Sequence, residues 1–207
     1  AMMATNNALV PDTEKQDDLA SSFWQWPTLN VGIRMCGWGP ENPKYYMIGS
    51  PATTWTSTVG VILFAFIVLY YLIRWQRQYV DFPSTNPHKL KLFLMGGIYP
   101  MFGWGLHFLP FAIMGRVTYV HHYVPALYFA MLVFCYEVES FSSRLNKPNA
   151  SPVLKLLYLA IYIGLLSLVA GTFWYFRYLS WGMEGPKEDW KHLKLLESWR
   201  VSDDQYT

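Results

Sequence analysis

The chain has 207 residues, of which 53% are hydrophobic and 18% aromatic, while only 14% are charged. Soluble domains carry about 25% charged residues, so this composition excludes an ordinary soluble protein and indicates a chain that lies mostly in lipid. The 16 basic and 14 acidic side chains give a formal charge of only +2. Because a nucleic-acid-binding protein needs a strongly basic surface, we expect no nucleic-acid partner.

A transmembrane helix needs about 20 consecutive apolar residues. Four runs come close to this length or exceed it: Trp55–Trp75, Leu92–Met114, Val117–Glu137 and Val153–Trp174. The second run is rich in glycine and proline, which predicts a kinked and closely packed helix. The sequence therefore predicts an all-α polytopic membrane protein with four transmembrane helices and membrane lipid as its surroundings.

Charges in the connections predict how these helices are oriented. Residues 74–91 and 142–155 carry four and three basic side chains, whereas the turn around Gly115 carries only Arg116. Since short cytosolic connections are enriched in Lys and Arg, both ends of the chain are predicted to face the lumen. The sequon that begins at Asn149 then lies on the cytosolic side, where we expect it to stay unmodified.

This orientation divides the chain into a lumenal segment 1–54, a four-helix region 55–178 and a lumenal tail 179–207. The first segment is rich in Trp and Pro, and we expect it to fold against the lumenal membrane face. In the tail, Trp190, Leu193 and Leu196 share one face of a helix, which predicts a short interfacial helix. A solvated tail with a few chance apolar residues is the alternative.

The candidate site residues stand where the third run begins. Arg116, His121, His122 and Tyr123 occur within eight residues at the predicted lumenal mouth of that helix. Ionisable groups near the membrane interior are costly, so they indicate a functional site or a water-filled cavity. Arginine binds phosphate through two hydrogen bonds, which makes the cluster a candidate contact for a donor phosphate. The alternative is structural, with the arginine at the interface and the histidines bonded to the backbone.

A metal site is not predicted in this cluster. Adjacent histidines project about 100° apart on a helix and seldom bind one metal together. No spacing of cysteines or histidines typical of zinc ligands supports such a site.

Other polar side chains give weaker signals. Arg34 lies in a glycine- and tryptophan-rich stretch and is a candidate for contact with an anionic headgroup or a sugar, or an anchor for its loop. His107 is alone in the second run, which favours an interhelical hydrogen bond over a ligand role. Glu137 and Glu139 are expected at a solvated cytosolic end of the third helix, so paired-carboxylate catalysis is not expected there.

Five segments of the sequence carry a family resemblance through their order. They begin at Thr5, Ser22, Gly32, Tyr45 and Gly115 and read TNNALVPD, SFWQWP, GIRMCGW, YYMIGSP and GRVTYVHHYVPALY. Each segment is modest by itself, whereas their shared order is specific. Together they resemble the carboxy-terminal end of the protein O-mannosyltransferase family, and the resemblance covers essentially the whole sequence.

The resemblance implies the carboxy-terminal part of a GT-C type glycosyltransferase in the endoplasmic reticulum membrane. Members of that family move mannose from dolichyl phosphate mannose to Ser or Thr hydroxyls of secretory-pathway proteins, and they dimerise with another family member. No cofactor beyond this donor substrate is implied. Because the family's acidic catalytic residue lies in the first lumenal loop of a much longer chain, we assign no catalytic residue and expect this fragment to be inactive alone. Its expected role is to wall the cavity for the lipid-phosphate donor.

A second function stays open, namely a noncatalytic membrane scaffold that binds a glycosyltransferase partner. Ala160, Gly164, Ser167 and Gly171 occur at three- and four-residue spacing in the fourth run. Such a small-residue stripe is typical of contacts between transmembrane helices. Under this hypothesis Gly164→Leu abolishes copurification with the partner.

Overall fold

The computed structural model describes residues 19–39, 41–114 and 117–201. Four helical stretches of 25 to 27 residues in it are long and apolar enough to cross a membrane: Pro51–Gln76, Pro87–Ile113, Val120–Leu145 and Pro152–Phe176. At 1.5 Å per residue these stretches are about 38–40 Å long. The predicted all-α architecture with four membrane-spanning helices is confirmed.

Six α-helices follow one another in the described part of the chain. In order they are α1 (Pro51–Gln76), α2 (Pro87–Phe93), α3 (Tyr99–Ile113), α4 (Val124–Ser142), α5 (Pro152–Phe176) and the short α6 (Tyr178–Trp181). A π-helical turn, Leu94–Ile98, joins α2 to α3. Short 3-10 turns flank α4 at Val120–Tyr123 and Ser143–Leu145.

Proline marks where four of the helices begin. It occupies the first or second position of α1, α2, α4 and α5. A proline there is well tolerated because the backbone N–H that it lacks has no partner in the first turn of a helix. Pro100 differs, because the π-helical turn runs directly into α3. The start of each of the other four helices is thus a local feature of the sequence.

Helix α4 lies in the centre of the bundle and packs against both α1 and α3. Glycines in the second span allow this close approach. A Cβ on Gly97 would lie 2.3 Å from the Phe64 ring, and a Cβ on Gly103 would lie 2.6 Å from the Phe129 ring. The close packing predicted for the glycine-rich run is therefore confirmed, and the π-helical turn interrupts its regular α-helix.

Helix α5 lies at the edge of the bundle. None of its residues is buried. No atom outside the helix's own backbone lies within 4 Å of the positions that a Cβ on Gly164 or Gly171 would take. Its small-residue stripe is therefore uncovered in the part of the chain that the structure describes.

Residues 19–50 and 178–201 fold together into a cap over one end of the bundle. The cap contains an antiparallel pair of short strands, β1 (Ile33–Met35) and β2 (Tyr45–Met47), with Ile33 opposite Met47. An isolated bridge joins Lys44 to Met183 of the tail. The amino-terminal segment thus packs on the helices as expected for residues 19–50, whereas residues 1–18 lie outside the described range.

The tail differs from the predicted interfacial helix. Its helical part is a 3-10 helix, Lys187–Leu193, and Leu193 is only 1% exposed because it packs in a cluster with Leu29, Tyr46 and Trp199. Burial of apolar surface against the other half of the cap stabilises this arrangement. The alternative of a solvated tail is wrong.

Candidate functional site

Arg34 joins the two halves of the cap. Side chains alternate along a strand, so Ile33 and Arg34 point to opposite sides of β1. Ile33 belongs to the buried cluster around Tyr123. Arg34 donates a hydrogen bond from Nε to the Arg200 carbonyl at 2.8 Å, and its guanidinium lies 4.4 Å from the Trp38 ring centre. These contacts support the anchoring interpretation of Arg34.

Buried aromatic side chains close the cap through bonds to the backbone. The Tyr46 hydroxyl accepts hydrogen bonds from the amides of Gly32 at 3.1 Å and Arg200 at 3.3 Å. Burial raises the pKa of the Tyr46 phenol. Trp199, which is fully buried, donates from Nε1 to the Leu29 carbonyl at 2.7 Å. The bonds between Arg200 and Tyr46 and between Trp199 and Leu29 connect residues more than 150 positions apart and carry no local sequence signal.

The two histidines of the predicted cluster stack on each other with ring centres 4.3 Å apart. Nδ1 of His122 accepts a hydrogen bond from the Tyr119 amide at 3.0 Å, and its ring lies 5.1 Å from that of Phe111. His122 therefore holds the 3-10 turn before α4. His121 is exposed and lines a small cavity of about 90 Å³ beneath the cap.

Tyr123 lies deeper than the histidines. It is 4% exposed, and its ring packs at 5.8 Å from Phe108 and 6.1 Å from Trp26. The structure thus brings His121, His122 and Tyr123 together. Arg116, the cation of the predicted cluster, lies outside the described residues.

The described residues contain no cluster of metal ligands. Among residues 19–39, 41–114 and 117–201, no group of three His, Cys, Asp or Glu side chains is placed to hold a metal ion. His107 lies apart from the cluster, and its Nδ1 donates a hydrogen bond to the Gly103 carbonyl, 2.8 Å away in its own helix. The expected interhelical bond of His107 is therefore replaced by one within α3.

A long apolar groove runs along α3 and was not predicted from the sequence. Its volume is about 880 Å³, and it is lined by Ala65 and Val68 of α1 and by residues from Ile98 to Met114 on the second span. From residue 98 to residue 113 the helix rises about 22 Å. Met114 marks the cap end of the groove, and Arg116 follows two residues later in the sequence.

A carboxyl group is buried between α1 and α4. Glu137 is 4% exposed, and its Oε2 lies 3.1 Å from the position of a Cβ on Gly60. The expectation of a solvated boundary was wrong for Glu137, because the third span continues to Leu145. Glu139, on the surface, accepts hydrogen bonds from Tyr158 and Tyr162 of α5.

Residues 1–199 match a family model described as the C-terminal four-transmembrane region of protein O-mannosyltransferase. The chain belongs to this family. The predicted family resemblance is confirmed, and it was carried by four segments before the first span and one that begins between the second and third spans.

Curated relatives support the same assignment. Dolichyl-phosphate-mannose–protein mannosyltransferase 3 of Saccharomyces cerevisiae is 44% identical over 99% of this chain. Mannosyltransferase 6 of Candida albicans is 41% identical over 97% of it, and protein O-mannosyl-transferase 2 of Danio rerio is 29% identical over 96%. The chain spans about a quarter of these relatives, namely 26%, 25% and 26% of their lengths.

A solved structure has the same fold. It is the protein O-mannosyltransferase Pmt1-Pmt2 complex of Saccharomyces cerevisiae bound to the sugar donor. The TM-score is 0.74 with 22% identity, over 96% of this chain and 25% of that chain. The predicted fold class, the carboxy-terminal part of a GT-C type glycosyltransferase, is thereby confirmed.

Proposed function

We propose that this chain is the carboxy-terminal membrane part of an enzyme that transfers mannose from dolichyl phosphate mannose to Ser or Thr hydroxyls of proteins. Its part in that reaction is to hold the lipid-linked donor. The observation that carries this proposal is the apolar groove along α3, whose end nearest the cap is lined by Met114, two residues before Arg116 in the sequence. Dolichyl phosphate mannose has matching chemistry, with a hydrocarbon chain attached to an anionic phosphate.

The hydrocarbon chain fits the groove. Leu106 and Leu109 on its wall are 57% and 54% exposed toward the surrounding lipid, so a chain enters sideways without crossing water. The volume of about 880 Å³ lies within the roughly 300–1,000 Å³ of known ligand sites. The groove therefore has the size and the polarity that a segment of an isoprenoid chain requires.

The phosphate is proposed to bind at the cap end of the groove. In the sequence, Arg116 follows two residues after Met114, which lines that end of the groove. A guanidinium forms two parallel hydrogen bonds to phosphate, and such charge-assisted bonds are about twice as strong as neutral ones. Arg116 is therefore the principal phosphate contact of this proposal.

The other candidates have different proposed parts. His121, exposed above the small cavity, is a second hydrogen-bond donor for the headgroup. His122 and Tyr123 hold the shape of the mouth, since one caps the turn and the other is buried below it. Arg34 acts through the cap, because its side chain is engaged with the Arg200 carbonyl.

The cap is proposed to face the lumen of the endoplasmic reticulum. Arg77, Lys91 and Lys147 are exposed in the connections at the opposite end of the bundle, which is the distribution expected for a cytosolic side. Both ends of this chain then lie on the lumenal side, where donor phosphate and acceptor hydroxyl meet.

The proposed partners are an acceptor protein with Ser or Thr hydroxyls and a second member of the family. The solved relative is a complex of Pmt1 with Pmt2, which supports the second partner. Transfer to a hydroxyl needs a base at the acceptor, and we assign that base to a part of the longer enzyme, since this chain spans about a quarter of its relatives.

Donor kinetics of the full-length enzyme test the phosphate contact. Arg116→Ala should raise the KM for dolichyl phosphate mannose about tenfold or more, because a hydrogen bond to a charged group contributes about 1.5–3 kcal/mol. The KM for an acceptor peptide should stay unchanged. Arg77→Ala is the control, because it removes a positive charge just after α1, at the end of the bundle away from the cap. An unchanged donor KM in Arg116→Ala would contradict the assignment.

The groove is tested separately by filling it. Leu106→Trp should raise the donor KM, because the larger side chain occupies space that the lipid chain needs. Leu156→Trp places the same substitution at a 66% exposed position on α5 and should leave the donor KM as in the parent. Equal effects of the two variants would refute the groove as the donor site.

A scaffold function is the second candidate, and the uncovered α5 face favours it. Gly164→Leu adds a side chain where the described residues leave open space, so it should not disturb the bundle. Loss of partner copurification with an unchanged donor KM would assign α5 to assembly. Retained copurification would count against this function.

A further inference from the structure

The hydroxyl side chains of Thr54 and Ser57 on α1 differ from their neighbours. Thr56 and Thr58 donate to the carbonyls four residues earlier, at 2.6 and 2.8 Å, which is a common arrangement for threonine in a helix. Thr54 and Ser57 are 0% and 1% exposed, yet neither hydroxyl has a hydrogen-bond partner among the described residues. Both side chains are buried, and neither hydroxyl is bonded to the backbone of its own helix.

The two hydroxyls and the buried carboxyl form one column. Thr54, Ser57 and Gly60 follow at intervals of three residues and belong to the buried face of α1, so each of them neighbours the next along the helix. Glu137 of α4 lies against Gly60, and its Oε1 also has no hydrogen-bond partner in the described structure. Three unpaired polar groups thus follow each other along the contact between the two helices.

The column is closed on the side away from the cap. Phe64 lies one turn beyond Gly60 and is fully buried. Its ring is 5.9 Å from that of Tyr136 and 5.6 Å from that of Phe93. These aromatic rings separate Glu137 from the other end of the bundle.

The column is open on the cap side, where a cavity of about 90 Å³ borders Thr54 and His121. At about 30 Å³ per molecule, this volume holds about three waters. His121 is exposed, which places the cavity next to the aqueous surface of the cap. Buried polar groups without protein partners are commonly satisfied by ordered water.

We propose that water enters this cavity beside His121 and continues past Thr54 and Ser57 to the Glu137 carboxyl. The bundle then contains an internal hydrated path that opens to water at the cap and ends at a buried acid. Among the described residues, no basic side chain forms an ion pair with Glu137. The path allows Glu137 to exchange its proton with water on the cap side.

Infrared spectroscopy of the full-length enzyme in lipid nanodiscs tests the path. The parent should show a carboxylic-acid carbonyl band that is absent in Glu137→Gln, and this band should shift when the sample is moved into D₂O. In the double variant Thr54→Val, Ser57→Ala, which removes both hydroxyls with little change in shape, the shift should be at least tenfold slower. Thr56→Val removes a neighbouring hydroxyl that is already bonded to the backbone and should exchange at the parent rate.

Three results would overturn the proposal. One is a parent without a band that depends on Glu137, and another is a parent band that does not shift over hours in D₂O. The third is a double variant that exchanges as fast as the parent. Because the first two need only the parent and Glu137→Gln, the test stands even where the double variant fails to fold, and Ser57→Ala by itself then replaces it. None of these readouts depends on donor binding, so this inference fails or holds separately from the proposed function.

Discussion

Gly97 lies in the π-helical turn between α2 and α3, at a point where the described structure leaves no room for a methyl group. A Cβ there would lie 2.3 Å from Cζ and 2.5 Å from Cε2 of Phe64. Phe64 is fully buried and is packed between the rings of Phe93 and Tyr136. Its ring therefore has no open space into which to rotate, and Gly97→Ala must displace packed helices.

The size of the effect follows from the cost of overpacking. Inserting an extra methyl group into a packed core costs about 1–3 kcal/mol. In a domain of about this size, 1 kcal/mol lowers the unfolding midpoint by about 2–4 °C, so Gly97→Ala should lower it by about 2–12 °C. Gly164→Ala is the matched control, since no atom meets its Cβ within 4 Å. Alanine is favoured over glycine in helices by about 1 kcal/mol, so the unfolding midpoint temperature of this control should equal or exceed that of the parent.

The assay measures the fraction of detergent-solubilised full-length protein that stays monodisperse after heating. The double variant Gly97→Ala, Phe64→Leu should unfold at a higher midpoint temperature than Gly97→Ala alone. The smaller side chain makes room for the methyl group, and the two sites are in contact. A Gly97→Ala protein that melts together with Gly164→Ala would refute the packing argument.

Further predictions concern the cap, the loop after α1 and the orientation. Lys44, which is 3% exposed, donates a hydrogen bond from Nζ to the Gly185 carbonyl at 2.7 Å. Lys44→Met should lower the free energy of unfolding by about 1.5–3 kcal/mol and speed amide hydrogen exchange in the tail. Unchanged exchange would contradict this prediction. The Arg74 guanidinium, 2.8 Å from Asp81, holds the pKa of that carboxyl below its usual value. The pair therefore stabilises its loop at pH values above the unfolded pKa of about 3.9. This stabilisation is lost as the pH falls through the lower folded pKa. Asp81→Asn should therefore remove the pH dependence of limited proteolysis in this loop. Asn149 should carry no glycan in the full-length protein. If endoglycosidase lowers the mass of the parent but not that of Asn149→Gln, the proposed orientation is wrong.

Local and compositional features predicted much of the fold. The hydrophobic runs predicted four helices, because a helix in lipid must be apolar along about 20 residues whatever its neighbours are. Proline positions marked where most of the helices begin, and the glycines of the second run predicted close packing. The order of short motifs such as GIRMCGW predicted the family before any contact was known.

Other features of the candidate site depend on contacts between distant residues. His121, His122 and Tyr123 were predicted together because they are neighbours in the chain, whereas the engagement of Arg34 with Arg200 joins residues 166 positions apart. The groove along α3 was not predicted, since α1 supplies part of its wall and no periodicity within one helix reveals a space between two.

Sequence by itself determined the membrane class, the number of spans and the family, since these depend on composition, on the length of apolar runs and on motif order along one chain. Tertiary structure decided where Glu137 lies and what the tail packs against. A carboxyl near the end of an apolar run predicts a solvated boundary, but burial depends on how far the helix continues and on whether a residue as small as Gly60 faces it. Those are properties of packed pairs of helices, and only the folded chain brings such pairs together.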